Sequence, residues 1–399
     1  MQQYNQYNNK IIKLKATIRP GRAYCQYMII ALALLSCNEK KPLVDNFYGM
    51  QTVLVSEEID IPIDELSLTS YLIHFCYSFQ GDNYIIAHNY LTHNLDIFNV
   101  SQQTVSHIKL NLEGPDGINH DVQGIYLHSK DSIWIYTMGI ISLIDFEGKV
   151  RDRIRITSLD NKIPIVSTNF TSSTSKLYYN STRKSLFYLT MSISNEKSSF
   201  FVSEYSLSDH SIKKYPLNAT EKKNLRWDYG WKQCPNVTYT ENAILYNFPI
   251  ESNIYVIDLE SGKSSVFGGK SRYTSNSVNK LKTPFSFSEG NRHIYENVHF
   301  FELLYDGVNN LYYRLHLSDT EYEADTEFEA LYQSKTMYLT VFNHKFEIIN
   351  ETRLEEKKYN YRNFWGMLNN GFFIGTNNMF FTGVDYEKLQ IEIFNVQKQ

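Results

Sequence analysis

The chain has 399 residues, of which 42% are hydrophobic and 21% charged, with a formal net charge of -4. That composition supplies a large apolar core and excludes a disordered polyelectrolyte. With a pI near 6.3, it also excludes the basic stripe that a sequence-independent nucleic-acid binder needs.

At the N-terminus, Lys10, Lys13, Lys15, Arg19 and Arg22 precede an apolar run over residues 28–35. The run falls short of the roughly twenty residues that cross a bilayer, but it fits the roughly 7–15-residue core of a secretory signal. It ends in Leu34-Leu35-Ser36-Cys37, which resembles the lipobox of bacterial lipoproteins, where the cysteine becomes the acylated first residue. The expectation is a signal over residues 1–36, an acylated Cys37 on a tether over 37–46, and one domain over 47–399. The plainer reading is a membrane-proximal helix with an ordinary cysteine. Cys76 and Cys234 then remain in the body, too few for a disulfide framework. Cys76 sits in an apolar run and reads as a small buried hydrophobe, although a Cys76–Cys234 bridge is an alternative.

The body reads as strands throughout, as the excess of Tyr (31) and Phe (24) over Gly (18) and Pro (9) suggests. Residues 52–55 form a strand with no hairpin partner nearby. Meanders follow over 70–110, 124–156, 175–215 and 236–267, then over 295–354 and 363–396, the last with a short strand near Phe380 and Phe381. The clearest is 243–267. There Ile254, Val256 and Asp258 alternate with Tyr255, Ile257 and Leu259, placing apolar side chains on both faces of one strand. Glu260-Ser261-Gly262-Lys263 then turns the chain back. No apolar run at helical spacing exceeds three turns.

About six units of roughly 50–65 residues, each with about four strands, predict an all-β, six-bladed β-propeller of four-stranded antiparallel blades. Stacking such sheets in a ring buries faces that no single unit can cover. The orphan strand at 52–55 is expected to close the ring on the last blade. The rival is a pair of β-sandwiches, which would need a linker that the sequence does not offer.

Two segments carry a family likeness. One is Glu113-Gly114-Pro115-Asp116-Gly117-Ile118 with residues 124–128 and Asp131-Ser132-Ile133-Trp134-Ile135-Tyr136. The other is Glu302-Leu303-Leu304-Tyr305-Asp306 with Asn310-Leu311-Tyr312-Tyr313-Arg314. Both resemble Bacteroidetes lipoproteins that carry a domain of unknown function expected to be a six-bladed propeller. The resemblance implies a cell-envelope address and no particular reaction. Asn38-Glu39-Lys40-Lys41 lacks the acidic run that often follows the cysteine of surface-displayed members, which favours the periplasmic side of the outer membrane.

Candidate chemistry is sparse. Arg226-Trp227-Asp228-Tyr229-Gly230-Trp231-Lys232 gathers aromatics and charges in a loop, a pattern that can hold a sugar ring or a partner's side chain. The competing reading makes Trp227 and Trp231 plugs between blades. The ligand-binding candidates are therefore Trp227, Asp228, Tyr229 and Trp231, joined by His299 and Glu302. His293, Asn297, His299 and Phe301 are read onto one face of an inner strand, with Glu302 on the other, where they could line the axial channel or form a satisfied polar core. Arg314 is expected to pair with Asp306. The loop 114–121 reads as turn chemistry, and the acidic run over 319–329 as a solvated loop.

No phosphate loop, G-x-S-x-G, H-E-x-x-H or CxxC pair is present, so no cofactor, metal or catalytic residue is assigned. The reading is a lipid-anchored envelope propeller that binds a glycan or an envelope protein and no nucleic acid. Its alternative is a propeller-type hydrolase, lactonase or lyase acting on a sugar-derived substrate.

Overall fold

A computed structural model describes residues 43–397 except 130, 138, 157–162, 165–176, 195–196, 220–227, 282–285, 324–325 and 361–363. Cys37 and Trp227 lie outside the described residues. The first strand, β1 (Val53–Pro62), is long and mostly exposed. Blade one follows as β2 (His74–Phe79), β3 (Asp82–Asn89), β4 (Asn94–Asn99) and β5 (Thr104–Lys109). Blade two is β6 (Gly124–Ser129), β7 (Ser132–Thr137), β8 (Ile140–Asp145) and β9 (Val150–Arg155).

Blade three contains β10 (Ile163–Pro164), β11 (Leu177–Asn180), β12 (Ser185–Ser194), β13 (Lys197–Ser206) and β14 (Ile212–Leu217). Both β10 and β11 pair with β12, so its inner position is shared by two short strands. Blade four is β15 (Asn236–Tyr239), β16 (Ala243–Asn247), β17 (Ile254–Asp258) and β18 (Ser264–Phe267). Helix α1 (Phe287–Glu296) leads into blade five: β19 (His299–Asp306), β20 (Leu311–Leu317), helix α2 (Phe328–Gln333), β21 (Met337–Asn343) and β22 (Ile348–Arg353). Blade six contributes β23 (Trp365–Leu368), β24 (Gly371–Gly375) and β25 (Lys388–Gln397). The fold is a six-bladed, all-β propeller of antiparallel meanders.

The ring closes on β1. It runs antiparallel to β25 in continuous register from Val53 opposite Gln397 to Pro62 opposite Lys388, and is the fourth strand of the last blade. The strand expected near Phe380 is therefore a turn, in which Phe380 and Phe381 donate to the side chain and main chain of the buried Asn378. From β1 the chain crosses to blade one through a pinned connector. Tyr71 donates to Asp96 at 2.6 Å, and His107 bridges Asp96 at 2.8 Å and Asp64 at 2.9 Å.

Every blade boundary holds its own core. Ile85 packs with Phe373 and Leu389 of blade six, whereas its neighbour Ile86 packs with Ile125 and Ile135 of blade two. Within β17, Ile254 and Val256 face blade five while Tyr255 and Ile257 face blade three. This is what two-faced alternation demands, and each such side chain contributes about 1.5–3 kcal/mol on burial. At the end of β17, Gly262 takes φ 67° and donates to Asp258 O at 2.9 Å, so a Cβ there would be strained.

Sequence patterning misplaced a second element. Residues 295 and 296 end a helix instead of opening a strand, and His293 lies on that helix. Ser286 caps it by accepting from Glu289 N, and Gly290, His293, Ile294 and Tyr295 form its buried face.

Candidate functional site

The described part of the aromatic loop begins with Asp228. Its carboxylate pairs with Lys280 at 2.8 Å and its carbonyl accepts from Leu281 N at 2.9 Å. Tyr229 is buried in the core between blades three and four. Trp231 belongs to the 3-10 turn Gly230–Gln233. In that same turn Lys232 is 0% exposed, and its Nζ donates to Val298 O at 2.5 Å and Asn297 O at 3.2 Å. The loop is thus fastened to the two residues that precede His299.

A second buried lysine works from the other side. Lys335 Nζ donates to Tyr295 O at 2.6 Å, Asn297 O at 2.8 Å and Ile294 O at 3.2 Å. These carbonyls lie at and just beyond the C-terminus of α1, where helix geometry leaves acceptors without partners and the helix dipole is negative. Burial pushes Lys335 down to about 7. Burial, and then the nearby Lys335, push Lys232 well below the ordinary lysine range.

His299, at 0% exposure, opens the inner strand β19 with its ring 4.5 Å from that of Phe301. Burial, then Lys232 and Lys335, hold it far below the usual imidazole value, so it is neutral. Glu302 is 1% exposed and accepts from the Trp365 indole at 3.0 Å across the boundary with blade six. The same tryptophan's carbonyl accepts from His74 Nε2 at 2.9 Å. His299 and Glu302 therefore present no surface to solvent, and Glu302, through Trp365 and His74, links the inner strands of blades five, six and one.

Arg314 does not pair with Asp306. It is buried, donates to Ser252 O at 2.9 Å and to Gly269 O, and stacks its guanidinium between Phe300 and Phe342. Asp306 instead accepts from Val308 N and Asn309 N in the following turn. A blade boundary rich in turn carbonyls gives a planar five-donor cation more partners than one hairpin carboxylate does. Cys76 and Cys234 are both free thiols.

Solvent reaches this region at a cleft of about 290 Å³ beside α1, lined by Asn279, Lys280, Glu289, Arg292, His293 and Glu296. Arg292 pairs with Glu296 at 2.7 Å. His293 Nε2 donates to Asn279 O at 2.6 Å, and Asn297 Oδ1 accepts from Asn279 N at 3.0 Å, so Asn279 is gripped at both ends. Burial is the main reason that His293 is pushed down to about 4. Two carboxylates and two cations line the cleft, which makes its charge balanced. Among the described residues, no three His, Cys, Asp or Glu side chains converge to hold a metal ion. Sequence reasoning reached the loop, with Lys232 at its end, and His299, but it missed α1, Lys280, Lys335 and the burial of Lys232. The Ser286-x-x-Glu289 spacing was the available signal for the helix.

The all-β, six-bladed propeller defines the class of protein, and the comparisons agree with that fold. Residues 50–353 match the family described as domain of unknown function DUF4221, and the chain belongs to that family. A solved member from Bacteroides vulgatus is 18% identical, with a TM-score of 0.71 over 88% of this chain and 99% of its own. A second solved structure, from Bacteroides fragilis, is 10% identical with a TM-score of 0.52, over 88% and 99% of the two chains. No curated protein sequence matches this chain.

Proposed function

We propose that this propeller is an envelope binding module, held to a membrane by an acylated Cys37, that captures a neutral polar ligand such as a glycan in the cleft beside α1. The observation that carries the reading is the paired charge of the cleft. In the cleft Lys280 and Arg292 offset Glu289 and Glu296, with Asp228 adding one negative charge behind Lys280, so donors and acceptors stand close to charge balance, which suits hydroxyl groups better than a strongly charged ion. The buried lysines behind it hold the walls in one geometry, so little ordering cost remains for binding. The Bacteroides fragilis neighbour is described as an exported protein, which agrees with the envelope address. Binding is favoured over catalysis because His293, the histidine that lines the cleft, is held by the Asn279 carbonyl and pushed down to about 4, while His299 is sealed from solvent.

Binding is tested on a glycan array followed by titration calorimetry of the best hit. Arg292→Ala and Glu296→Ala are each expected to weaken capture about tenfold, as loss of a charge-assisted hydrogen bond implies, and replacing Trp227 and Trp231 by alanine should weaken it further. Capture unchanged in all of them refutes this site. Palmitate labelling that persists in Cys37→Ser refutes the anchor.

A further inference from the structure

The segment expected to be a free tether is partly a strap. Val44 N donates to the Asn253 side chain at 3.2 Å. Asn46 and Lys270 exchange hydrogen bonds, Nδ2 to carbonyl and amide to Oδ1, both at 2.6 Å. Ile348 N then donates to Phe47 O at 2.9 Å, and Gly49 N and Thr52 N return to Ile348 O and Ile349 O, both at 3.1 Å. The chain is thereby laid along the outer edges of blades four and five before it becomes β1.

Main-chain anchoring on this scale leaves the strap's side chains no freedom to fold inward. Phe47 is 69% exposed, Tyr48 52% and Met50 83%, with Tyr273 at 56% close by. The Arg272 guanidinium sits 4.6 Å above the Tyr48 ring. Lys270 pairs with the exposed Asp45 at 2.7 Å, Glu347 is bonded to Asn343, and Glu351, its side chain buried, accepts from Arg272 N at 3.1 Å. The patch therefore offers aromatic and thioether groups with one cation on its rim and its carboxylates already engaged.

We propose that this rim, centred on Phe47, Tyr48 and Met50, rests on a lipid bilayer and sets the orientation of the propeller. The inference deepens the lipid-anchored reading above. Seven residue steps separate Cys37 from Val44, the strap's first docked residue, so chain length alone keeps an acylated Cys37 within about 25 Å of it. Aromatic rings flanked by basic groups favour the interfacial layer of a membrane. An anchor combined with a second, weaker contact fixes an orientation that acyl chains alone leave free.

The experiment places an environment-sensitive NBD fluorophore at Phe47→Cys, Met50→Cys or Val308→Cys in the acylated chain, with Cys76 and Cys234 replaced by alanine and folding checked by circular dichroism. Val308 is an exposed residue in the β19–β20 turn. On vesicles of phosphatidylethanolamine and phosphatidylglycerol, a blue shift and quenching by spin-labelled lipid are expected at 47 and 50 and not at 308. Water-like emission at 47 and 50 while the protein floats with the vesicles overturns the proposal. Failure of palmitate labelling at Cys37 would sink the anchor separately. The unacylated chain then decides the patch, since a lipid-dependent shift at 47 supports it and none overturns it. A shift without lipid that tracks protein concentration also overturns it, by assigning the rim to a second copy of the chain.

Discussion

Lys335 donates to the carbonyl of Asn297 at 2.8 Å in a site sealed from water, and that one contact ties the α2–β21 connection to the residue between α1 and the inner strand β19. Lys335→Met keeps the volume of the side chain and removes its donors, leaving the carbonyls of Ile294 and Tyr295 buried without this partner. The expected cost is about 3–5 kcal/mol, read as a lower urea midpoint at unchanged m-value. A loss under about 1 kcal/mol would mean that the carbonyls find other partners.

His107 gives the fold a pH-dependent clasp. Burial pulls its pKa down, but the hydrogen bonds to Asp64 and Asp96 outweigh that and leave it raised above 6.5. The folded state therefore holds the proton more tightly than the unfolded chain. The stabilisation is complete below about pH 6.5 and is lost as pH rises through the folded value. Asp64 is shifted the other way, lowered by its bonds to His107 and Ser67 despite opposing burial, so its share is lost as pH falls through its own folded value. Thermal melts of the native chain and of His107→Gln should converge as pH rises above neutrality and separate near pH 6. Parallel curves throughout would refute the clasp.

Ring closure can be tested at one side chain. Ile61 on β1 is 0% exposed and packs among Tyr71, Leu389 and Ile391. Ile61→Ala should cost about 2–5 kcal/mol, measured by urea denaturation. If closure were incidental, the variant would match the native protein.

Close packing at the ring's centre makes a further expectation. A Cβ on Gly366 would lie 2.7 Å from Cys76 Sγ and 2.8 Å from Phe373 Cε1. Gly366→Ala should destabilise by about 1–3 kcal/mol. Adding Cys76→Ala should recover part of that loss in a double-mutant cycle, and additive losses would show that Phe373 alone sets the limit.

The blades were legible because the alternation at Ile254–Asp258 and Ser132–Thr137 fills two different cores, which only a strand between neighbouring sheets requires. The closing role of residues 52–55 was legible as a strand lacking a local partner. Helix α1 was not, because its aromatic and histidine residues suit a strand equally well, and its capping spacing was outweighed by the strand pattern that follows. Arg314 was read as the hairpin partner of Asp306 and Lys232 as a charge in the aromatic loop, and Lys335 drew no reading. Their burial is set by carbonyls that are distant in sequence, which no local window contains. The two clusters around residues 228 and 299 were found separately, and only the fold shows that Lys232 joins them.

Since β1 and β25 complete one sheet from opposite ends of the chain, a polypeptide that emerges N-terminus first must keep its opening strand unpaired until nearly the last residue has appeared. The blades between can form early, but the edge of the sixth stays uncovered throughout. Premature termination anywhere before residue 388 would leave β1 permanently without its neighbour, a mark by which quality control could recognise an unfinished molecule.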